Sequence, residues 1–203
     1  MKIDLLELFE FVVSGKWTNI GQTKLKFRKK DDVFYIAFST SGRDCAIGEF
    51  KSWILNVLRI KVPLYPLFNN RQIFAHYGFL IIAYSVLSRV ISEIEKSGCG
   101  KVVISGFSQG GAVGSILHEI IKDRFITHCI TFGQPKCFGI LTPEIPRYHR
   151  IYVRGDKVTR VPYIGFSHRG KSVALGRFRI LPSIKCHYAS VYIQLLEGKT
   201  ITI

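Results

Sequence analysis

The alternation of apolar and polar residues lays out most of the chain's elements. Apolar positions recur at three- and four-residue steps through Leu80, Ala83, Tyr84, Leu87, Val90, Ile91 and Ile94, which predicts a helix over residues 79–97. Lys96 falls in its last turn and Gly98 supplies the stop. The same period runs through Val113, Ile116, Leu117, Ile120 and Ile121 and predicts a helix over residues 110–122. Residues 4–13 and 49–58 read as shorter helices. Residues 32–38 (DVFYIAF), 101–105 (KVVIS), 129–132 (CITF) and 150–154 (RIYVR) read as short buried strands. Residues 59–72 are broken by Pro63 and Pro66 and read as a loop or excursion. Strand and helix alternating in this way predict an α/β fold, a mostly parallel sheet with helices on both faces. No repeat, low-complexity tract or linker interrupts the pattern, so residues 1–203 are expected to form one domain.

Composition narrows the class. The chain is 47% hydrophobic and carries 15 Phe and 9 Tyr, which excludes a disordered segment. Its 29 Lys and Arg against 14 Asp and Glu give a net charge of +15. Such a surface is drawn to something anionic: lipid headgroups, nucleic acid or an acidic partner. No zinc-ligand spacing, RNP-type motif or arginine-rich helix supports the nucleic-acid reading, so no specific nucleic acid is expected. Five cysteines, odd in number and without a Cys-x-x-Cys pair, indicate neither a disulfide framework nor a zinc ribbon. Free thiols suit a reducing compartment. Asp4, Glu7 and Glu10 interrupt the apolar start, so no signal peptide is expected, and no run of 18 apolar residues predicts a membrane span. The expectation is an intracellular protein, cytoplasmic or peripheral on internal membranes.

The chemistry concentrates at Gly106-Phe107-Ser108-Gln109-Gly110, a Gly-x-Ser-x-Gly string. The pentapeptide alone is common by chance. Here it follows an apolar strand and opens a helix, the setting in which a serine is held on a strained corner with its hydroxyl raised off the sheet. Side chains two residues before and after would collide, hence the glycines. The Gln109 amide would then point at a developing oxyanion. The plain alternative is a glycine-rich turn capping a helix.

A nucleophilic serine needs a base, and the base an orienting acid. Four carboxylates lie between Ser108 and the last histidine. Glu119 and Asp123 sit far along the helix leaving the corner, and Glu144 lies in a turn between Pro143 and Pro146. Asp156 directly follows the strand RIYVR, where an α/β sheet collects its site, and is the expected acid. Of the two histidines that follow, His187 precedes an apolar stretch, residues 188–196, able to form a helix docking on the sheet. Spacing favours His187 over His168 as the base.

These residues resemble the class 3 lipases, the family of the fungal triacylglycerol lipases. The resemblance runs from about residue 33 to residue 195. It is carried by Ile36-Ala37-Phe38-Ser39-Thr40-Ser41, Trp53-Ile54 and His76-Tyr77-Gly78-Phe79. It continues through Gly106-Phe107-Ser108-Gln109-Gly110-Gly111-Ala112, Thr131-Phe132-Gly133-Gln134-Pro135-Lys136, Gly155-Asp156-Lys157-Val158-Thr159-Arg160-Val161-Pro162 and His168-Arg169-Gly170. The resemblance implies an α/β-hydrolase fold and serine hydrolysis of lipid esters without metal or cofactor. It implies Ser108, Asp156 and His187 as the triad, with Ser41 beside the Gln109 amide in the oxyanion hole and His168 as a conformational residue. Ser39-Thr40 stand where the family has Arg-Gly, so Thr40 could take the place of Ser41. Phe107 replaces the family's histidine at the corner. The 31 residues from acid to base are few for the family, which implies a compact version of the fold.

Three further readings stay open. Residues 41–51 could form a mobile lid, and residues 64–68 (LYPLF) could face lipid; both could equally be packed loop. The run Lys24, Lys26, Arg28, Lys29, Lys30, alternating with Leu25 and Phe27, reads as a charge-protected edge strand or as a dock for anionic phospholipid. The rival to an ester hydrolase is a catalytically silent protein of the same fold that binds anionic lipid or a partner through its basic surface. Acyl transfer or thioester hydrolysis would use the same triad.

Overall fold

The computed structural model describes residues 1–20, 23–39, 64–67, 70–177 and 182–203, with backbone alone at 64–67 and 70–72. The described strands are β1 (Lys2–Asp4), β2 (Thr18–Ile20), β3 (Thr23–Lys30), β4 (Val33–Ser39), β5 (Leu64–Leu67), β6 (Asn70–His76), β7 (Lys101–Phe107), β8 (Thr127–Phe132), β9 (Phe138–Gly139), β10 (Tyr148–Val153), β11 (Phe166–Ser167), β12 (Lys171–Leu175) and β13 (Thr200–Thr202). The helices are α1 (Leu5–Val13), α2 (Tyr77–Ser97), α3 (Gln109–Ile121) and α4 (Ala189–Leu196). A seven-stranded sheet runs β12-β10-β8-β7-β4-β3-β2. Its five strands from β12 to β4 are parallel, and β3 and β2 add on antiparallel. β7, which carries the Gly-x-Ser-x-Gly corner, lies at its centre.

β4 shows why the parallel strands lack an alternating pattern. Phe34, Ile36 and Phe38 enter one core with α2 and α3, while Val33, Tyr35 and Ala37 enter a second core with α1 and α4. Successive side chains point to opposite faces, and both faces are covered. The second core is rich in aromatics: the Phe9 ring meets those of Phe107, Phe132 and Tyr192 at centroid distances of 5.4, 4.8 and 5.5 Å. α1 starts at Asp4, whose carboxylate accepts from the Leu6 and Glu7 amides, and α2 stops at Gly98 in the left-handed region.

Several expectations change. Within the expected loop or excursion at 59–72, residues 64–67 and 70–72 lie in strands: β5 and β6 pair antiparallel, with a register shift at Pro66/Leu67 where the proline cannot donate. They belong to a four-stranded sheet ordered β11-β9-β6-β5. The basic run is a strand, and β2 pairs only its first three residues, so Lys26–Lys30 do lie along an edge. Its cations are nonetheless engaged. The Lys26 ammonium lies over the rings of Phe11 and Trp17 and donates to the Ser14 carbonyl, and burial pulls its pKa down to about 8. Arg28 lies over Phe11 and Tyr35, and Arg28 and Lys30 both pair with Glu7. α2 is long and apolar enough to cross a membrane by length and composition alone. Its residues Phe79, Leu80, Ala83, Val86, Val90 and Ile94 are packed in the first core. The expected helix at 49–58, the lid candidate at 41–51, Trp53-Ile54, Thr40 and Ser41 lie outside the described residues.

Candidate active site

Three loops leaving the carboxyl ends of parallel strands carry the candidate residues. Ser108 stands between β7 and α3 with φ 55° and ψ −125°. Among the described non-glycine residues with positive φ it is the buried one, since Asp31 and Arg147 are exposed. A backbone strain of about 1–3 kcal/mol persists only where surrounding contacts enforce it. They do here: a Cβ on Gly106 would lie 2.3 Å from the Gly110 carbonyl carbon, and one on Gly110 would lie 2.2 Å from the Phe38 carbonyl oxygen. The first contact closes the corner on itself. The second lays α3 against the end of β4. The Ser108 amide donates to the Phe132 carbonyl at 2.9 Å, locking the corner to β8. Ser108 is 2% exposed, and its hydroxyl has no hydrogen-bond partner among the described residues. Gln109 opens α3, so its amide is one of the first-turn donors that no helix carbonyl can accept.

The candidate acid and the candidate base meet. His187 Nδ1 donates to Asp156 Oδ2 at 2.7 Å, with both residues buried. A second donor, the Tyr192 hydroxyl, reaches the same oxygen at 2.8 Å, and the Val158 amide donates to Oδ1 at 2.9 Å. The Tyr192 oxygen also accepts from the Val153 amide at 3.2 Å, so α4 is tied to the end of β10 on both sides of the carboxylate. The loop before α4 is held by an isolated parallel bridge between Asp156 and Ser183 and by Ser183 donating to the Gly155 carbonyl. With its Nδ1 proton committed to the carboxylate, the neutral His187 ring presents Nε2 as a lone-pair base.

Phe107 and Gly133 link this pair to the serine corner. The Phe107 ring stacks on His187 with centroids 4.7 Å apart and planes 18° off parallel. A Cβ on Gly133 would meet the Tyr192 hydroxyl at 2.8 Å and His187 Cε1 at 2.9 Å, so the end of β8 runs directly beneath the imidazole. The phenylalanine at the corner thus forms one wall of the His187 site.

The other candidates lie elsewhere. Glu119 and Asp123 pair with Lys122, and Glu144 accepts from the Gly170 amide. His168 donates from Nε2 to the Thr159 carbonyl at 2.6 Å and thereby fixes the 3₁₀ turn Val158–Arg160 behind Asp156. Burial drives its pKa down to about 3. Tyr192 was not a sequence candidate; its one signal is a tyrosine five residues past the histidine on an apolar helix. Among the described residues no group of three or more His, Cys, Asp or Glu side chains is placed to hold a metal ion.

Comparison with known proteins settles the family. The family model for lipase (class 3) matches residues 38–166, more than half of the chain. The chain belongs to the class 3 lipase family. It is similar in structure to a triacylglycerol lipase described as having a serine protease triad as its catalytic centre, with a TM-score of 0.65 at 18% identity. That match covers 85% of this chain and 77% of the other. The Rhizomucor miehei lipase–propeptide complex gives a TM-score of 0.62 at 22% identity, covering 78% of this chain and 54% of that one. Lip2 lipase from Yarrowia lipolytica gives 0.60 at 18% identity, covering 80% and 64%. The chain therefore spans between half and two thirds of those two longer chains. No curated protein matches it by sequence. The likeness in structure shows the α/β-hydrolase fold, with the mostly parallel central sheet described above.

Proposed function

We propose that this chain hydrolyses carboxylic esters of lipids, with Ser108 as nucleophile, His187 as base and Asp156 as the acid that orients it. The observation that carries the reading is the buried Asp156–His187 hydrogen bond, beside a ring, Phe107, whose next residue is a serine at positive φ. Family membership supports the substrate class, and the triad ascribed to one of the similar triacylglycerol lipases supports the mechanism.

In this mechanism His187 Nε2 accepts the hydroxyl proton as Ser108 Oγ adds to the ester carbonyl carbon. Asp156 holds the ring and stabilises its cationic form. The oxyanion is stabilised by the Gln109 amide and by a second donor from Ser41 or Thr40; one such donor is worth about 3 kcal/mol of barrier. The alcohol leaves with the proton from His187, and water activated by the same ring releases the acid. The test is Ser108→Ala with a p-nitrophenyl ester: kcat should fall roughly 10⁵-fold or more while the thermal melt is unchanged. A fluorophosphonate probe should label the parent chain at Ser108. Failure to label, or turnover surviving in the alanine variant, would leave the silent lipid-binding reading in its place.

A further inference from the structure

The loops that carry Gly133 and Asp156 continue into two short segments that project large apolar side chains into solvent. Ile140 and Leu141 form the corner of a turn closed by the Thr142 amide donating to the Gly139 carbonyl. Tyr163 and Ile164 precede β11. β9 and β11 pair antiparallel with Gly139 opposite Phe166, so both segments leave the small sheet at the same end. Ile140 is 61% exposed, Leu141 84%, Tyr163 62% and Ile164 90%. Single exposed apolar residues are ordinary; four on adjoining turns mark an interaction surface.

The turns are held firmly. The Arg169 guanidinium donates to the carbonyls of Gly139, Ile140, Thr142 and His168. The Lys136 amide donates to the Val161 carbonyl at 2.7 Å, joining the two loops, and His168 holds Thr159. The apolar tips are therefore displayed by construction.

Charge and shape decide the occupant. Between residues 136 and 171 the chain has the cations Lys136, Arg147, Arg150, Arg154, Lys157, Arg160, Arg169 and Lys171 against two carboxylates. Of those, Asp156 is buried under His187 and Tyr192, and Glu144 accepts from the Gly170 amide. Lys157 and Arg160 are exposed and make no ion pair among the described residues. On β3, in contrast, Arg28 and Lys30 pair with Glu7, Lys26 lies over aromatic rings and Lys29 donates to the Ser97 carbonyl. A side chain 90% exposed stands on a protrusion, a shape that enters a deformable surface more readily than it forms a flat protein interface.

We propose that the Ile140–Leu141 and Tyr163–Ile164 turns are an anchor that inserts into an anionic phospholipid bilayer, with Lys157 and Arg160 at headgroup level. Insertion by such tips reaches the headgroup–acyl boundary, where tyrosine is favoured and each nearby cation adds to binding. The anchor would hold the carboxyl end of the central sheet, and with it the Ser108 corner, toward the lipid. The docking does not depend on ester hydrolysis at Ser108.

The experiment is co-sedimentation of the full chain with vesicles of phosphatidylcholine alone or with one-third phosphatidylglycerol. The parent chain should partition onto the anionic vesicles, and Leu141→Asp/Ile164→Asp should lower the partition roughly tenfold or more. That variant should keep its thermal melt and its turnover of a soluble p-nitrophenyl ester in lipid-free buffer. If the parent has no turnover, the melt and the vesicle data still decide the anchor. Lys157→Glu/Arg160→Glu should weaken binding in a salt-dependent way, and Lys24→Glu/Lys29→Glu on β3 should largely spare it. Three outcomes would overturn the proposal: no vesicle binding by the parent, parent-like binding by the aspartate variant, or a greater loss from the β3 variant. A parent dimer that the aspartate variant turns into a monomer, with neither form on vesicles, would assign the tips to self-association instead.

Discussion

Two buried histidines, His118 on α3 and His187 before α4, meet opposite neighbours. His118 is 0% exposed; its Nε2–H donates to the Pro146 carbonyl at 2.9 Å and its Nδ1 accepts from the Thr127 hydroxyl at 2.7 Å. Both contacts suit a neutral ring, and burial pulls its pKa down to about 4. His187 is almost as buried, yet it faces a carboxylate that holds two further donors. A cation costs free energy in either place, but only beside Asp156 is there a countercharge to offset it. Burial alone makes an imidazole inert; burial against an oriented carboxylate is the setting that the proposed base requires.

The sharpest way to break this contrast is to take the charge from one side of it. Asp156→Asn keeps the volume but presents an amide that can donate to His187 Nδ1, forcing the ring proton onto Nε2 and removing the base. A fall in kcat of about 10⁴-fold is expected on a p-nitrophenyl ester, with the fold retained. His118→Gln should leave kcat within a few-fold, because its partners are neutral and it plays no part in the chemistry. Equal losses from the two variants would show that the carboxylate is not what separates the two histidines.

A second test uses proton linkage. Unfolded, His118 binds a proton as pH falls through 6.5; folded, it resists until about 4. The unfolded state therefore binds more protons in that window, so stability is full above pH 6.5 and declines toward pH 4, by about 3 kcal/mol for this one group. His76, also pulled to about 4 by burial, and His168 act in the same direction. Urea unfolding across the window should show stability dropping with acid, and His118→Gln should flatten the slope by up to one proton. An unchanged slope would mean that His118 is protonated in the fold.

What the sequence makes legible follows the range of the interactions. Ser108 is readable because its constraint is local: a strand, a corner that needs Gly106 and Gly110, then a helix. Asp156 and His187 are readable because each sits at the boundary of an element with a clear period. Tyr192 is hidden, since its hydroxyl meets Asp156 across 36 residues and its apolar neighbours on α4 give it the look of core. The β5–β6 hairpin is masked by Pro63 and Pro66, and β9 and β11, two residues each, are too short for any period to register. The apolar tips escape for the same reason, because an isoleucine and a leucine between turns read as buried until exposure is measured. The basic run misleads differently: its charges look solvated, whereas α1 supplies a ring, Phe11, and a carboxylate, Glu7, that engage Lys26, Arg28 and Lys30.

The smallest effect should come from Tyr192→Phe, which trims the His187 side of the comparison without removing its charge. The change takes one of three donors from the Asp156 carboxylate and leaves the buried Val153 amide without its acceptor. A hydrogen bond to a charged group is worth about 1.5–3 kcal/mol, so a stability loss of about 2 kcal/mol is expected. For activity, the carboxylate keeps its bond to His187 and the Val158 amide but is less firmly aimed, so kcat should fall about tenfold with KM unchanged. Tyr192 touches the proposed acid and not the reacting atoms, and the split between kcat and KM reports that positioning role. A stability loss with kcat intact would reduce Tyr192 to a core residue and leave the orientation of Asp156 to Val158 and the backbone of the turn.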